Sequence, residues 1–202
     1  MSAERTPTRL ILASKSASRR AMLDAAGVNY DAMPADLDER EVEDKLRGAT
    51  QPEIAEALSV AKAAALAVQH SSTLVLGSDS LVSVGGRRFD KPVNREEAAE
   101  HLRFFSGKAM ELHSAAALVR GDGCEWSHAS AAKLQVRELS EEFIEHYLGL
   151  EWPAIGATVG CFRIEGPGVQ LFESIEGDQF TVLGMPLIPL LGALREAGVL
   201  RS

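Results

Sequence analysis

The stretch Leu10-Ile11-Leu12-Ala13-Ser14-Lys15-Ser16-Ala17-Ser18-Arg19-Arg20-Ala21-Met22-Leu23 changes character along its length. An apolar run of strand type gives way to small hydroxyl residues, and these lead into a helix that opens near a pair of arginines. A strand that feeds a helix this way leaves backbone N–H groups without helical partners, at the end where the helix dipole is positive. An anion, phosphate above all, is what such a turn receives best. The alternative is a solvated turn in which the serines only cap the helix.

Outward from this turn, the helix stops at Gly27, and Val28, Tyr30 and Ala32 alternate with polar residues as a second strand. Residues 36–44 read as a solvated acidic loop. Thr50-Gln51-Pro52-Glu53 is a capping box for a helix reaching about Gln69, with an apolar stripe of Ile54, Ala57, Leu58, Ala61, Ala65 and Val68. Lys62 sits at the edge of that stripe, either as a snorkelling surface lysine or as a charge at a cleft margin. Residues 73–77 predict a buried strand that ends in Ser78-Asp79-Ser80, at the carboxyl end where open α/β sheets place ligands.

Residues 81–89 predict a hairpin turning at Gly85-Gly86, and Asn94 opens a helix that stops before Gly107. Segments 109–119 and 125–136 read as paired strands, and Ser140 caps a helix over 141–148. A glycine-rich stretch, 156–168, precedes a strand over 169–175, and Pro186 opens a terminal apolar helix. Residues 1–8 read as a frayed lead-in. Strands and helices alternate early and strands cluster late, so the expected class is α/β with a mixed sheet, in one domain spanning 1–202.

The 202 residues are 46% hydrophobic and 25% charged, which excludes disordered and fibrous classes. A formal charge of −8 argues against nucleic acid as a partner. No segment approaches a membrane span or a signal-peptide core, so a soluble cytoplasmic protein with no membrane partner is expected. Cys124 and Cys161 lack metal-type spacing; two lone thiols fit a reducing compartment, with a disulfide as the alternative. The five histidines are scattered without ligand spacing.

The chemistry-bearing candidates are Ser14, Arg19 and Arg20 at the first turn, with Glu39, Lys62, Asp79 and Lys91. This set suits phosphoanhydride chemistry. Carboxylates can hold Mg²⁺, cations neutralise charge building on phosphates, and one carboxylate must orient or deprotonate the attacking water.

Ser14-x-Ser16-x-x-Arg19-Arg20-x-x-Leu23, Asp38-Glu39, Ala61-Lys62-Ala63, Gly77-Ser78-Asp79, Lys91-Pro92, Ser106-Gly107, Ile164-Glu165-Gly166, Glu176-Gly177-Asp178 and Val182-Leu183-Gly184-Met185-Pro186-Leu187 occur in one order along the chain. This ordered set resembles the Maf family of nucleoside triphosphate pyrophosphatases. The resemblance implies an inosine-triphosphatase-like fold, an elongated mixed sheet flanked by helices with two lobes around a central cleft. It implies hydrolysis of nucleoside triphosphates to the monophosphate and pyrophosphate with a divalent cation, Mg²⁺ or Mn²⁺, and a homodimer.

By the same resemblance Asp79 is the proton acceptor, and Ser14, Arg19, Glu39, Lys62 and Lys91 are polar cleft residues. In this assignment Ser16 and Arg20 join Ser14 and Arg19 in binding substrate, and Asp79 and Glu39 support the metal. Ser18, Ser80 and Glu165 fall where the family tunes base choice. Glu165 accepts hydrogen bonds only, which suits the two donors on a guanine edge; the alternative is a glutamate that merely caps a glycine turn. The rival function is a nucleotide-binding regulator of cell division with only residual hydrolysis.

Overall fold

The computed structural model describes residues 9–201, so the expected lead-in over 1–8 lies outside the described residues. The elements are β1 (Leu10–Leu12), α1 (Ala17–Ala25), β2 (Asp31–Ala32), α2 (Glu39–Asp44), α3 (Gln51–Ala67), β3 (Leu74–Val84), β4 (Arg87–Phe89), α4 (Arg95–Phe105), β5 (Ala109–Arg120), β6 (Gly123–Val136), α5 (Glu141–Glu151), β7 (Phe172–Glu176), α6 (Gln179–Leu183) and α7 (Leu187–Glu196). Among the described residues the strands form one seven-stranded mixed sheet in the order β2-β1-β3-β5-β6-β7, with β4 paired to β3. The expected α/β class is observed. No helix among the described residues is long and apolar enough to cross a membrane.

The chain divides into two compact units. The first holds the segment ending at Asp79, Ser114–Ser130 and the segment from Gly184. Here β1 runs parallel to β2 and to β3, with Leu10, Ile11 and Leu12 opposite Leu74, Val75 and Leu76. Ile11, Ala13, Ala63, Leu66, Ala67, Val75 and Val119 form a core between the sheet and α3. The helix α1 ends as expected, with Gly27 at φ +68° and the Val28 N–H donating to the Leu23 carbonyl at 3.0 Å.

Several expectations in this unit are corrected. The acidic stretch is not all loop. The Asp38 carboxylate accepts the Arg40 and Glu41 N–H groups at 3.0 and 3.4 Å, and Glu39 and Glu41 place negative charge in the first turn of α2. The second strand shrinks to Asp31–Ala32.

The capping box of α3 is present, but the buried face is Ala55, Leu58, Ser59, Ala63, Leu66 and Ala67, and Val68 is 76% exposed. The reason is Gly77 on β3. Without a side chain there, the backbone of α3 at Ser59 and Ala63 packs directly onto the strand, and the small side of the helix turns inward. The strand β3 also continues through Ser78-Asp79-Ser80, so these residues lie inside the strand and not after it.

The second unit holds Ser80–His113 and Ala131–Leu183. The hairpin at Gly85-Gly86 forms as expected, and β5 and β6, which pair as expected, contribute to this unit only their residues up to His113 and from Ala131. Along the β5 segment, Met110 and Leu112 turn into the core while Glu111 is exposed, the period-two pattern of a sheet with one packed face. The Asn94 side chain caps α4 through the Glu97 N–H at 2.8 Å, and Arg103–Glu141 and Arg95–Glu145 ion pairs join α4 to α5.

Two element boundaries move. Helix α5 runs three residues further than expected, to Glu151, and β7 begins at Phe172 because Pro167–Leu171 forms a 3-10 turn. The helix α6, capped by Asp178, was not anticipated.

Two glycines test these packing arguments. A Cβ at Gly77 would run into the Ser59 carbonyl oxygen and lie 2.8 Å from the Ala63 nitrogen, both backbone atoms. Gly77→Ala is expected to destabilise by about 2–3 kcal/mol, roughly 5–10 °C in Tm for a chain of this size. Gly149, inside α5, has open space at its Cβ position. Gly149→Ala should raise Tm, by about 0.5–1 kcal/mol of stability. Thermal melts of the two variants check both signs.

Candidate active site

The first turn is built by its own side chains. After β1, the Ser14 hydroxyl accepts the Ser16 N–H at 3.1 Å, and the Ser16 hydroxyl caps α1 by accepting the Arg19 N–H at 3.3 Å. The helix therefore starts at Ala17, one turn into the serine run. Ser14 is buried, and its oxygen also lies 3.5 Å from Arg19 Nη1. Arg19 Nε donates to the Gly184 carbonyl at 3.0 Å. The guanidinium is thus held from two sides. Burial lowers its pKa, and the negative charges of Asp79 and Glu39 work in the opposite direction. Arg20 is exposed, and its backbone carbonyl accepts the Tyr30 hydroxyl at 3.3 Å.

Lys62 is not a snorkelling surface lysine: its charged end is withdrawn from solvent onto two carboxylates. Its Nζ lies 2.5 Å from Asp79 Oδ1 and 3.0 Å from Glu39 Oε1. The Lys62 and Asp79 side chains are only 14% and 9% exposed, whereas Glu39 is 48% exposed. Two carboxylates from different elements, α2 and β3, converge on one ammonium delivered by α3. Removing one member of a buried pair costs about 3–5 kcal/mol because its partner is left uncompensated. Three donors on the ammonium serve two acceptors here, which leaves one N–H for a further oxygen.

The structure thus brings together Ser14, Ser16, Arg19, Glu39, Lys62 and Asp79 within the first unit. Ser18 is half-buried on α1. Ser80, Lys91 and Glu165 belong to the second unit, where Ser80 is half-buried and Lys91 and Glu165 are exposed. Glu165 lies in the field of Arg163, which makes a bidentate pair with the buried Glu151 at 2.8 and 2.9 Å.

Two participants escaped the sequence reading as site residues. The buried Ser78 hydroxyl donates to the Gly184 carbonyl at 3.3 Å, the same oxygen that receives Arg19. The available signal was a glycine just before a proline-opened helix; Gly184 has φ +104°, a conformation that glycine adopts freely.

Cys124 is exposed and Cys161 buried, both as free thiols. The Cys161 Sγ lies 3.6 Å from His101 Nδ1, but burial pushes the thiol up to about 12, so it is not a poised nucleophile. Among the described residues no three His, Cys, Asp or Glu side chains gather as a metal cage.

Residues 9–197 match the family model of the Maf-like proteins. The 7-methyl-GTP pyrophosphatase of Rhizobium meliloti (strain 1021) is 47% identical over 193 residues, spanning 95% of this chain and 97% of its own. The nucleoside triphosphate pyrophosphatase of Rhodopseudomonas palustris (strain HaA2) is 45% identical over 195 residues, 96% of each chain. Among solved structures, a HAM1 protein from Coxiella burnetii is 17% identical with a TM-score of 0.43, covering 64% of this chain and 73% of its own. With a family model that spans nearly every described residue and relatives close to half identical over their whole length, the chain belongs to the Maf-like protein family.

Proposed function

We propose that the chain hydrolyses nucleoside triphosphates to the nucleoside monophosphate and pyrophosphate. The observation that carries this reading is the Lys62 ammonium held between Asp79 and Glu39, with the Arg19 guanidinium in the field of the same two carboxylates. The pyrophosphatase names of its relatives support it.

In the proposed reaction a water oxygen forms a bond to the α-phosphorus while the bond to the bridging oxygen breaks. Pyrophosphate leaves with the electron pair. Asp79 takes the water proton; Lys62 engages Oδ1, so the receiving atom is Oδ2. Lys62 and Arg19 stabilise the charge that gathers on the phosphate oxygens, each already oriented by its partners. The Ser14–Ser16 turn adds a hydroxyl and the N–H groups of the first turn of α1. Lys91 is assigned charge stabilisation, and Ser18, Ser80 and Glu165 base choice.

The donor set fits a divalent cation, Mg²⁺ or Mn²⁺. Asp79 and Glu39, already drawn together on one positive group, are hard oxygen donors of the kind that hold such an ion with phosphate oxygens and water. When bound, it would supply Lewis-acid charge to the phosphates. Chelation is expected to stop turnover and Mg²⁺ or Mn²⁺ to restore it, read as product release. Full turnover in a chelator would remove the metal from this proposal.

Asp79→Asn keeps the shape and a hydrogen-bonding group but cannot take the proton. A fall in kcat of about 10²–10⁴ is expected, with nucleotide binding retained. Inorganic pyrophosphate, and not orthophosphate, should accumulate in the wild type; orthophosphate as first product would replace the reading with a phosphatase. Across a nucleotide panel, GTP and 7-methyl-GTP are expected to exceed UTP and dTTP in kcat/KM, because an acceptor-only carboxylate at Glu165 favours an edge with two donors. The reverse order would remove Glu165 from base choice.

A further inference from the structure

Arg19 is a long side chain with five N–H donors, and its value to a phosphate depends on where those donors point. Its Nε, the donor nearest the backbone, is committed to the Gly184 carbonyl at 3.0 Å. That bond sets the rotation of the whole guanidinium plane, because the group is rigid. One terminal nitrogen, Nη1, then reaches the Ser14 hydroxyl at 3.5 Å. The Gly184 carbonyl is therefore one of the groups that aim the plane, and the one that receives the donor nearest the backbone.

That carbonyl is itself held. The Ser78 hydroxyl donates to it at 3.3 Å from the fully buried side chain of the residue before Asp79 in β3. Successive residues of a strand point to opposite faces, so the strand that presents Asp79 on one side secures the Gly184 oxygen on the other. Gly184 takes φ +104°, so a side chain there would strain the backbone that aims this carbonyl. Met185 and Pro186 follow, both buried, leading into α7, which fixes the far end of the segment.

We propose that Ser78 is a positioning residue for phosphate binding, acting through the Gly184 carbonyl on the orientation of Arg19. This rests on the triphosphate reading of the site. Ser78 touches no substrate in this role. It holds the acceptor that holds the guanidinium, so the strand carrying the proposed general base also sets the phosphate-binding cation.

The test is a double-mutant cycle of Ser78→Ala and Arg19→Ala read by two measurements, direct calorimetric binding of inorganic pyrophosphate and the KM–kcat split for GTP. Ser78→Ala removes one neutral hydrogen bond and leaves Nε on the carbonyl. Pyrophosphate binding is expected to weaken about fivefold, with KM rising in parallel and Tm little changed. In the Arg19→Ala background the same substitution should change pyrophosphate binding less than twofold, because the group it positions is gone.

Unchanged pyrophosphate binding in Ser78→Ala would overturn the proposal, as would a full fivefold loss that persists without Arg19. Ser78→Thr, which keeps the hydroxyl, should bind pyrophosphate more tightly than Ser78→Ala; equal weakening in both also counts against the role. Pyrophosphate binding needs no turnover. A wild type that binds it with the expected coupling yet hydrolyses no nucleotide would sink the hydrolytic reading alone.

Discussion

The close approach of α3 to β3 at Gly77 is the constraint on which the first unit depends. Where a side chain is missing from the strand, the helix backbone at Ser59 and Ala63 takes its place. Lys62 is carried in by the same approach, one residue before Ala63, and its ammonium reaches Asp79 two residues along the strand from Gly77. A larger residue at position 77 would separate helix from strand and with them the cation from the carboxylate. Packing and chemistry are set by one atom-scale gap.

Around that gap the charges are arranged in balance. Two cations, Arg19 and Lys62, face two carboxylates, Asp79 and Glu39, in a region where unpaired charge is expensive. A polyanion entering such a group does not meet bare positive charge; it must exchange places with carboxylates that already occupy the ammonium. Such an exchange needs no broad excess of basic residues, in keeping with a formal charge of −8.

How much of this was legible in the sequence depends on how local each signal is. Thr50 and Glu53 announce α3 because a capping box is contained in four residues, and Gly27 and the Gly85-Gly86 pair announce their turns for the same reason. The buried face of α3 was not legible. Its middle is almost all alanine, so hydrophobic periodicity carries little contrast, and the choice is made by a glycine on another element. Ser78-Asp79-Ser80 looked like a strand end because a mid-strand aspartate is tolerated only with a partner, and Lys62 lies 17 residues earlier. Gly184, 165 residues from Arg19, had no local signature of its role. The cluster of candidate residues in the first unit was nonetheless marked by an ordered series of weak motifs, because each motif supplies a contact that only the fold assembles.

The helix that carries Glu39 is of a different mechanical kind from the rest of the site. It has six residues, none of them buried, and is held by the Asp38 cap, by its neighbour α3 and by the Lys62 ion pair itself. A helix this short has no stability of its own, and a segment without core contacts opens at low free energy. Asp79 and Lys62 sit on elements locked into the core. The candidate site therefore has one stiff wall and one compliant one.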